Sequence, residues 1–195
     1  MSNERTYPDE PAGPFPSPDT AFEDRDGRSI EIRAPESMTN GALDDIVDMY
    51  VRFDPTDRAQ GIPPTGETRI RSWLEGITDR SVNVVATHGD DVIGHAMLVP
   101  DVDDPPSLDD AGDAEWELAI FVLQEYQRAG IGTELLEHLL GHAADVGIER
   151  VWLTVERWNQ PAIALYERVG FDSTGTESFE QEMAILLEAG GERNR

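Results

Sequence analysis

Residues 117–132 read ELAIFVLQEYQRAGIG. The run from Trp116 to Val122 is apolar, β-branched and aromatic enough for a strand. From Ile131 to Val146 the period changes to that of a helix, with Leu135, Leu136, Leu139, Leu140 and Ala143 on one face. Between them lies Gln127-Arg128-Ala129-Gly130-Ile131-Gly132. Glycines at 130 and 132 let a ligand approach the backbone with no Cβ in the way. The unpaired amides of a first helical turn and the helix dipole then make an anion site, to which Arg128 adds a cation. The pattern is neither G-x-G-x-x-G nor the G-K-[ST] of a phosphate loop, and the chain has no lysine to supply the latter.

One strand further on, residues 159–171 read NQPAIALYERVGF. Together the two stretches resemble the GNAT superfamily of acyl-CoA-dependent N-acetyltransferases. Its first signature, Q/R-x-x-G-x-G/A, is met by Gln127, Gly130 and Gly132. Its second, N-x-x-A-x-x-L-Y-x-x-x-G-F, is met by Asn159, Ala162, Leu165, Tyr166, Gly170 and Phe171. The resemblance is strong from 115 to 172 and rests on element order from 28 onward. It implies an α/β fold: a mixed, mostly antiparallel central sheet, splayed at the cofactor site and flanked by about four helices.

The flanking sequence agrees with that order. Ser29–Arg33 alternates like a strand, and Thr39-Asn40 offers a cap for a helix carrying Leu43, Ile46, Val47 and Tyr50. A Pro/Gly-rich loop over 54–66 leads to a second helix over 67–79. Strands at 81–87 and 91–99 surround the turn His88-Gly89-Asp90, and 101–113, with six aspartates, reads as a solvated loop. A strand at 151–155, a helix at 161–169 and the last strands from Phe171 to Leu187 complete the domain. The division expected is a flexible Pro- and acid-rich tail over 1–27, an acetyltransferase domain over 28–188 and a polar tail over 189–195.

The resemblance also implies roles. The backbone around Phe121 and Val122 would hydrogen-bond the pantetheine arm of acetyl-CoA, the co-substrate. Amides from Gln127 through Arg128, Ala129, Gly130, Ile131, Gly132 and Thr133 would cradle its pyrophosphate. Asn159 would contact the pantetheine end, and Tyr166 would protonate or hydrogen-bond the departing thiolate.

The chemistry adds one requirement. An ammonium has no lone pair, and a lysine-type amine has a pKa near 10.4, so a base must drain the proton. Glu117 is the first candidate, with Glu115 two residues earlier on the same strand face as its substitute. Tyr50, Arg52, Phe53 and the 54–66 loop are expected to line the acceptor site. The acceptor is an amine, a protein lysine or alternatively a small-molecule amine or polyamine. A non-catalytic acyl-CoA sensor would keep the glycine loop yet need neither Glu117 nor Tyr166. His138 and His142, four apart, read as a solvated helix face rather than a metal pair, and no metal is expected.

Composition sets the outer bounds. The 195 residues carry 15 basic and 40 acidic side chains, a net charge of -25, with no cysteine and all basic residues arginine. A cysteine nucleophile, a disulfide scaffold and a thiolate zinc site are excluded. So strong a negative charge disfavours nucleic acid and anionic membranes as partners. No apolar run or signal pattern marks a membrane span or secretion, so a cytoplasmic protein is expected, with a homodimer as the assembly considered. The absence of lysine and a pI near 4.2 resemble haloarchaeal composition, in which molar salt screens carboxylate repulsion.

Overall fold

The computed structural model describes residues 5–35, 40–54, 63–101, 108–176 and 179–188. Eight strands form one sheet: β1 (Thr20–Glu23), β2 (Ser29–Arg33), β3 (Val82–His88), β4 (Asp91–Pro100), β5 (Glu115–Val122), β6 (Arg150–Glu156), β7 (Asp172–Thr176) and β8 (Glu180–Leu186). Their spatial order is β1-β2-β3-β4-β5-β6-β8-β7. Every neighbouring pair is antiparallel except β5 with β6. That parallel pair is in register only from Glu115↔Arg150 to Glu117↔Trp152. Beyond it the two strands part, and the sheet is splayed.

Four helices cover the sheet: α1 (Asn40–Arg52), α2 (Glu67–Ile77), α3 (Ile131–Asp145) and α4 (Gln160–Val169). Successive residues of β4 show which face each helix takes, because neighbouring strand side chains point to opposite sides. A Cβ at Gly94 would meet Leu135 of α3 at 3.2 Å, whereas His95 bonds Tyr50 of α1. Helices α1 and α2 therefore share one face, joined by the Arg71–Asp44 ion pair and by Trp73 set edge-on to Tyr50. Helix α3 lies on the other face with α4 beside it, where Arg168 donates to the Thr133 hydroxyl at 2.9 Å.

Local chemistry explains the α4 boundaries. Asn159 Oδ1 accepts from the Ala162 amide, Pro161 opens the first turn, and Gly170 at φ 119° ends the helix in the left-handed region. On α3, Leu135, Leu136, Leu139, Leu140 and Ala143 are all fully buried, as their spacing requires. His138 departs from its expected solvated position: it is 4% exposed, and its Nδ1 lies 2.7 Å from the Glu134 carbonyl. An i–4 carbonyl accepts the imidazole proton there, so burial leaves no donor wasted.

The N-terminal segment differs most from expectation. Residues 20–23 pair with β2 as an edge strand, and the chain before them lies along the domain as a strap. Arg5 reaches Asp101, Glu115 and Glu182, Ala12 bridges Leu187, and Pro16 crosses α3 at Gly141. The absence of hydrophobic period, read as a mobile tail, reflects extended chain anchored by backbone and charge. The expected cap at Thr39 lies outside the described residues, as do positions 55–62 and 102–107 of the two expected loops and the 189–195 tail.

Candidate active site

The parting of β5 from β6 opens a cleft of about 490 Å³. One wall carries residues that the sequence assigned to cofactor binding. Gln127, Arg128, Gly130, Gly132 and Thr133 line it, with Asn159, Ala162, Leu165 and Tyr166 of the α4 region opposite. Gly130 caps α3 at φ 93°, a conformation that requires glycine, and Arg128 also turns through positive φ (62°). The first amides of α3, Ile131 and Gly132, have no carbonyl one turn back to receive them. The side chains of Ala129 and Ile131 are buried, so these two positions offer the cleft their backbone alone. The Gln127 side chain donates to the Val122 carbonyl at 3.0 Å, which ties the turn to the end of β5.

Three arginines border this wall: Arg128, Arg168 and Arg25. Sequence reasoning found the first and missed the others. Arg168 sits in the last turn of α4 and braces Thr133. Arg25 belongs to the β1–β2 hairpin that was read as tail, and its amide donates to the Ala129 carbonyl at 3.0 Å. That hairpin is shaped by Asp24. Burial would raise its carboxyl, but the Arg28 and Asp26 amides and the Arg28 guanidinium donate to it and together hold it low. In a chain of charge -25, three converging arginines and a row of amides form a pronounced anion site.

The opposite wall carries Phe53, Phe121, Thr154 and Glu156. Phe53 and Phe121 meet edge-on, ring centres 5.7 Å apart. Tyr50 does not reach the cleft as expected. It is fully buried beneath these rings, and its hydroxyl donates to His95 Nδ1 at 2.8 Å. His95 Nε2 in turn donates to Asn83 Oδ1, which fixes the neutral tautomer. Burial pushes the His95 imidazole down to about 3 and the Tyr50 phenol well up. Tyr50 thus supports the Phe53 and Phe121 wall from below.

Glu117 and Glu115 share the β5 face of Phe121, the side covered by α1. Glu117 is exposed and stands at the last paired position before the splay, three residues before the lining segment that starts at Ile120. Desolvation by its neighbours, then the charge of Asp101, raise its carboxyl, while Arg5 pulls the other way. Glu115 is committed to Arg5 at 2.6 Å. Glu156 lies in the cleft wall itself and was not singled out from sequence. Its signal was available, since it ends the strand across the splay from Phe121.

Tyr166 is 8% exposed, and burial raises its phenol to about 12. It lines the cleft with Val155 and Asn159, its ring tilted against Phe171.

Comparisons with known proteins agree with this geometry. Residues 43–171 match the acetyltransferase (GNAT) family. An uncharacterized N-acetyltransferase of Mycobacterium tuberculosis is 33% identical over 109 residues, 55% of this chain and 64% of the relative. The spermine/spermidine N(1)-acetyltransferase of Bacillus subtilis is 32% identical over 101 residues, 50% of this chain and 64% of the relative. The chain therefore spans under two thirds of the length of these relatives. A phosphinothricin acetyltransferase from Sinorhizobium meliloti, solved in complex with acetyl-CoA, superposes with a TM-score of 0.63 at 20% identity. That match covers 85% of this chain and 92% of that one. Among the described residues no helix is long and apolar enough to cross a membrane.

Proposed function

The chain belongs to the acetyltransferase (GNAT) family, and from that premise we propose that it moves an acetyl group from acetyl-CoA to a primary amine by direct attack. The observation that carries the reading is the cleft at the splay, which joins an amide-and-arginine cradle on one sheet face to Phe53 and Phe121 on the other. The residues present fit the co-substrate. Gly130, Gly132 and the arginines suit its phosphates, and the free edge of β5 beyond Glu117 suits the amide groups of its arm. When bound, acetyl-CoA supplies an activated acyl carbon and a thiolate leaving group.

The chain's own groups then divide the work. Glu117, its carboxyl raised towards the working range, takes the ammonium proton directly or through water, with Glu156 as the alternative inside the cleft. A backbone amide near Val122 meets the negative charge that develops on the carbonyl oxygen. Tyr166 hydrogen-bonds the leaving sulfur. A thiol has an ordinary pKa of about 8.5, so full proton transfer from a phenol near 12 is uphill by ~5 kcal/mol. Tyr166 therefore stabilises the thiolate by donating a hydrogen bond, and solvent delivers the proton.

A protein lysine is the acceptor favoured from sequence. A small amine or polyamine is the alternative, supported by the activity named for the Bacillus relative. The test is thiol release from acetyl-CoA in molar KCl with a panel of amines and a lysine-bearing protein extract. With no cysteine in the chain, the thiol reagent reads released CoA alone. Amine-dependent release is expected. Tight CoA binding without release for any acceptor would instead make the protein an acyl-CoA sensor.

A further inference from the structure

The amide-and-arginine wall of the cleft has two different ends. A Cβ at Gly132 would meet Leu165 of α4 at 3.7 Å, whereas one at Gly130 would meet Arg25 Nε at 3.8 Å. The glycine turn therefore runs from α4, which carries Tyr166, to the hairpin that joins β1 to β2. Residues 24–28 of that hairpin lie outside the span matched to the family, residues 43–171. They are built onto the turn all the same.

Asp24 sets the shape of the hairpin. Its amide donates to the Arg28 carbonyl at 2.9 Å, and its Oδ1 accepts from the Asp26 and Arg28 amides. Gly27 at φ 79° completes the reversal. Contacts at both ends then dock the hairpin on the loop between β5 and α3. At one end Arg28 donates to the Glu125 carbonyl at 3.1 Å and lies 4.3 Å over the Tyr126 ring. At the other, the Arg25 amide donates to the Ala129 carbonyl at 3.0 Å. This frame fixes the Arg25 backbone before a ligand arrives, which lowers the entropic cost of a contact.

Charges in the hairpin are divided so that Arg25 stays available. Asp24 and Asp26 flank it in sequence, and Arg28 takes both, at 2.7 and 3.1 Å. Among the described residues the Arg25 guanidinium enters no ion pair, and it is exposed at the cleft. Arg168, by contrast, is occupied with the Thr133 hydroxyl. A guanidinium kept clear of carboxylates in a chain of charge -25 is placed for an anion, and its planar fork matches the oxygens of a phosphate.

We propose that Arg25 receives the 3′-phosphate of the CoA ribose, so that the β1–β2 hairpin makes the site selective for CoA over ligands lacking that group. The order along the wall sets the assignment. Tyr166 meets the sulfur, the amides at Gly130 and Gly132 meet the pyrophosphate, and Arg25 stands at the end farthest from the thiol. There the molecule carries its remaining phosphate. The inference rests on the acetyl-transfer reading and adds a specificity-determining residue to its site.

The experiment titrates CoA and 3′-dephospho-CoA calorimetrically into the wild type, Arg25→Gln and Arg25→Lys at one salt concentration. The wild type is expected to bind CoA about tenfold tighter than dephospho-CoA, the order of one charge-assisted contact. Arg25→Gln is expected to bind the two ligands alike, and Arg25→Lys to restore part of the preference. Equal affinities in the wild type, or a preference that persists in Arg25→Gln, would overturn the assignment. So would a loss of both affinities in step, which would put Arg25 on the pyrophosphate. The Arg25 side chain is exposed and its anchoring bond belongs to the backbone, so both variants keep that bond. Turnover gives a second readout. Acetyl-3′-dephospho-CoA should raise the wild-type KM with kcat unchanged, because a remote phosphate is held equally in the ground and transition states. Selective CoA binding without transfer to any amine would sink the transfer reaction and leave the Arg25 contact standing. A wild type that binds neither ligand would remove both.

Discussion

His95 and Glu117 illustrate how single residues set the chemistry around the cleft. His95 is neutral in the fold because burial lowers it to about 3, whereas in the unfolded chain it titrates near 6.5. A depressed imidazole contributes stability that is fully present above pH 6.5 and is lost as the pH falls below that value, at ~1.4 kcal/mol per unit. Denaturant titrations between pH 7 and 5 should show that slope in the wild type, and His95→Gln should flatten it. An equal slope in both proteins would mean that the Tyr50–His95–Asn83 chain does not hold the imidazole neutral. Glu117 shifts the other way. A raised carboxyl becomes a competent base only as the pH climbs through its elevated pKa, so kcat/KM should show an acidic limb above the ordinary carboxylate range. Glu117→Gln should remove that limb and lower the rate about a hundredfold. The same variant should melt no lower than the wild type near pH 7, because ionising a carboxyl of raised pKa costs the fold. A retained limb would move the base to Glu156. Tyr50 shows where residue-level reading stops: a tyrosine on the first helix was expected to line the acceptor site, but nothing local says that it is fully buried or that His95, 45 positions away, claims its hydroxyl.

At the scale of elements, what the sequence reveals depends on period. Helices α3 and α4 and strand β5 are legible because their apolar spacing and caps are local. The strap is not, since a proline-bearing segment without period docks through its carbonyls and its charges. Its one trace lies elsewhere, in Gly141 on the long helix. A Cβ at Gly141 would fall 2.0 Å from the Pro16 carbonyl oxygen, so the glycine exists for a backbone that crosses it. Gly141→Val should lift the strap, expose residues 12–23 to rapid amide exchange and lower Tm by several degrees. Gly76, inside α2 with nothing within 4 Å of its Cβ direction, is the control. Gly76→Ala should stabilise by ~0.5–1 kcal/mol. If both variants behaved alike, the strap would contribute nothing to the domain. The hairpin that follows the strap carries Arg25 to the cleft, which explains why reading residues 1–27 as tail cost the site one of its cations.

The whole molecule carries -25 charges on 195 residues, and its clearest arrangement is a local reversal of that sign. Arg25, Arg128 and Arg168 gather beside the first amides of α3, and Glu156 is the one carboxylate among the described residues lining the same cleft. Under the proposed function, such a reversal draws the anionic co-substrate to this wall. We propose that the remaining acidity is tuned to high salt. Raising KCl from millimolar to molar, where the Debye length is ~3 Å, should then raise Tm, and dilution should unfold the protein. A Tm that falls or stays level with added KCl would leave the acidity without that explanation. The glycine loop and the tyrosine helix were both readable in the sequence, whereas the cleft that joins them depends on where β5 and β6 part, a property of pairing across 35 residues.

The most direct test is Tyr166→Phe at saturating acetyl-CoA, with thiol release and CoA affinity measured on the same preparation. The phenylalanine keeps the packing against Phe171 and removes only the hydroxyl proposed to meet the leaving sulfur. Turnover should fall by about a hundredfold while the affinity for CoA changes less than twofold. Turnover at the wild-type level would contradict the proposed stabilisation of the leaving thiolate by the Tyr166 hydroxyl.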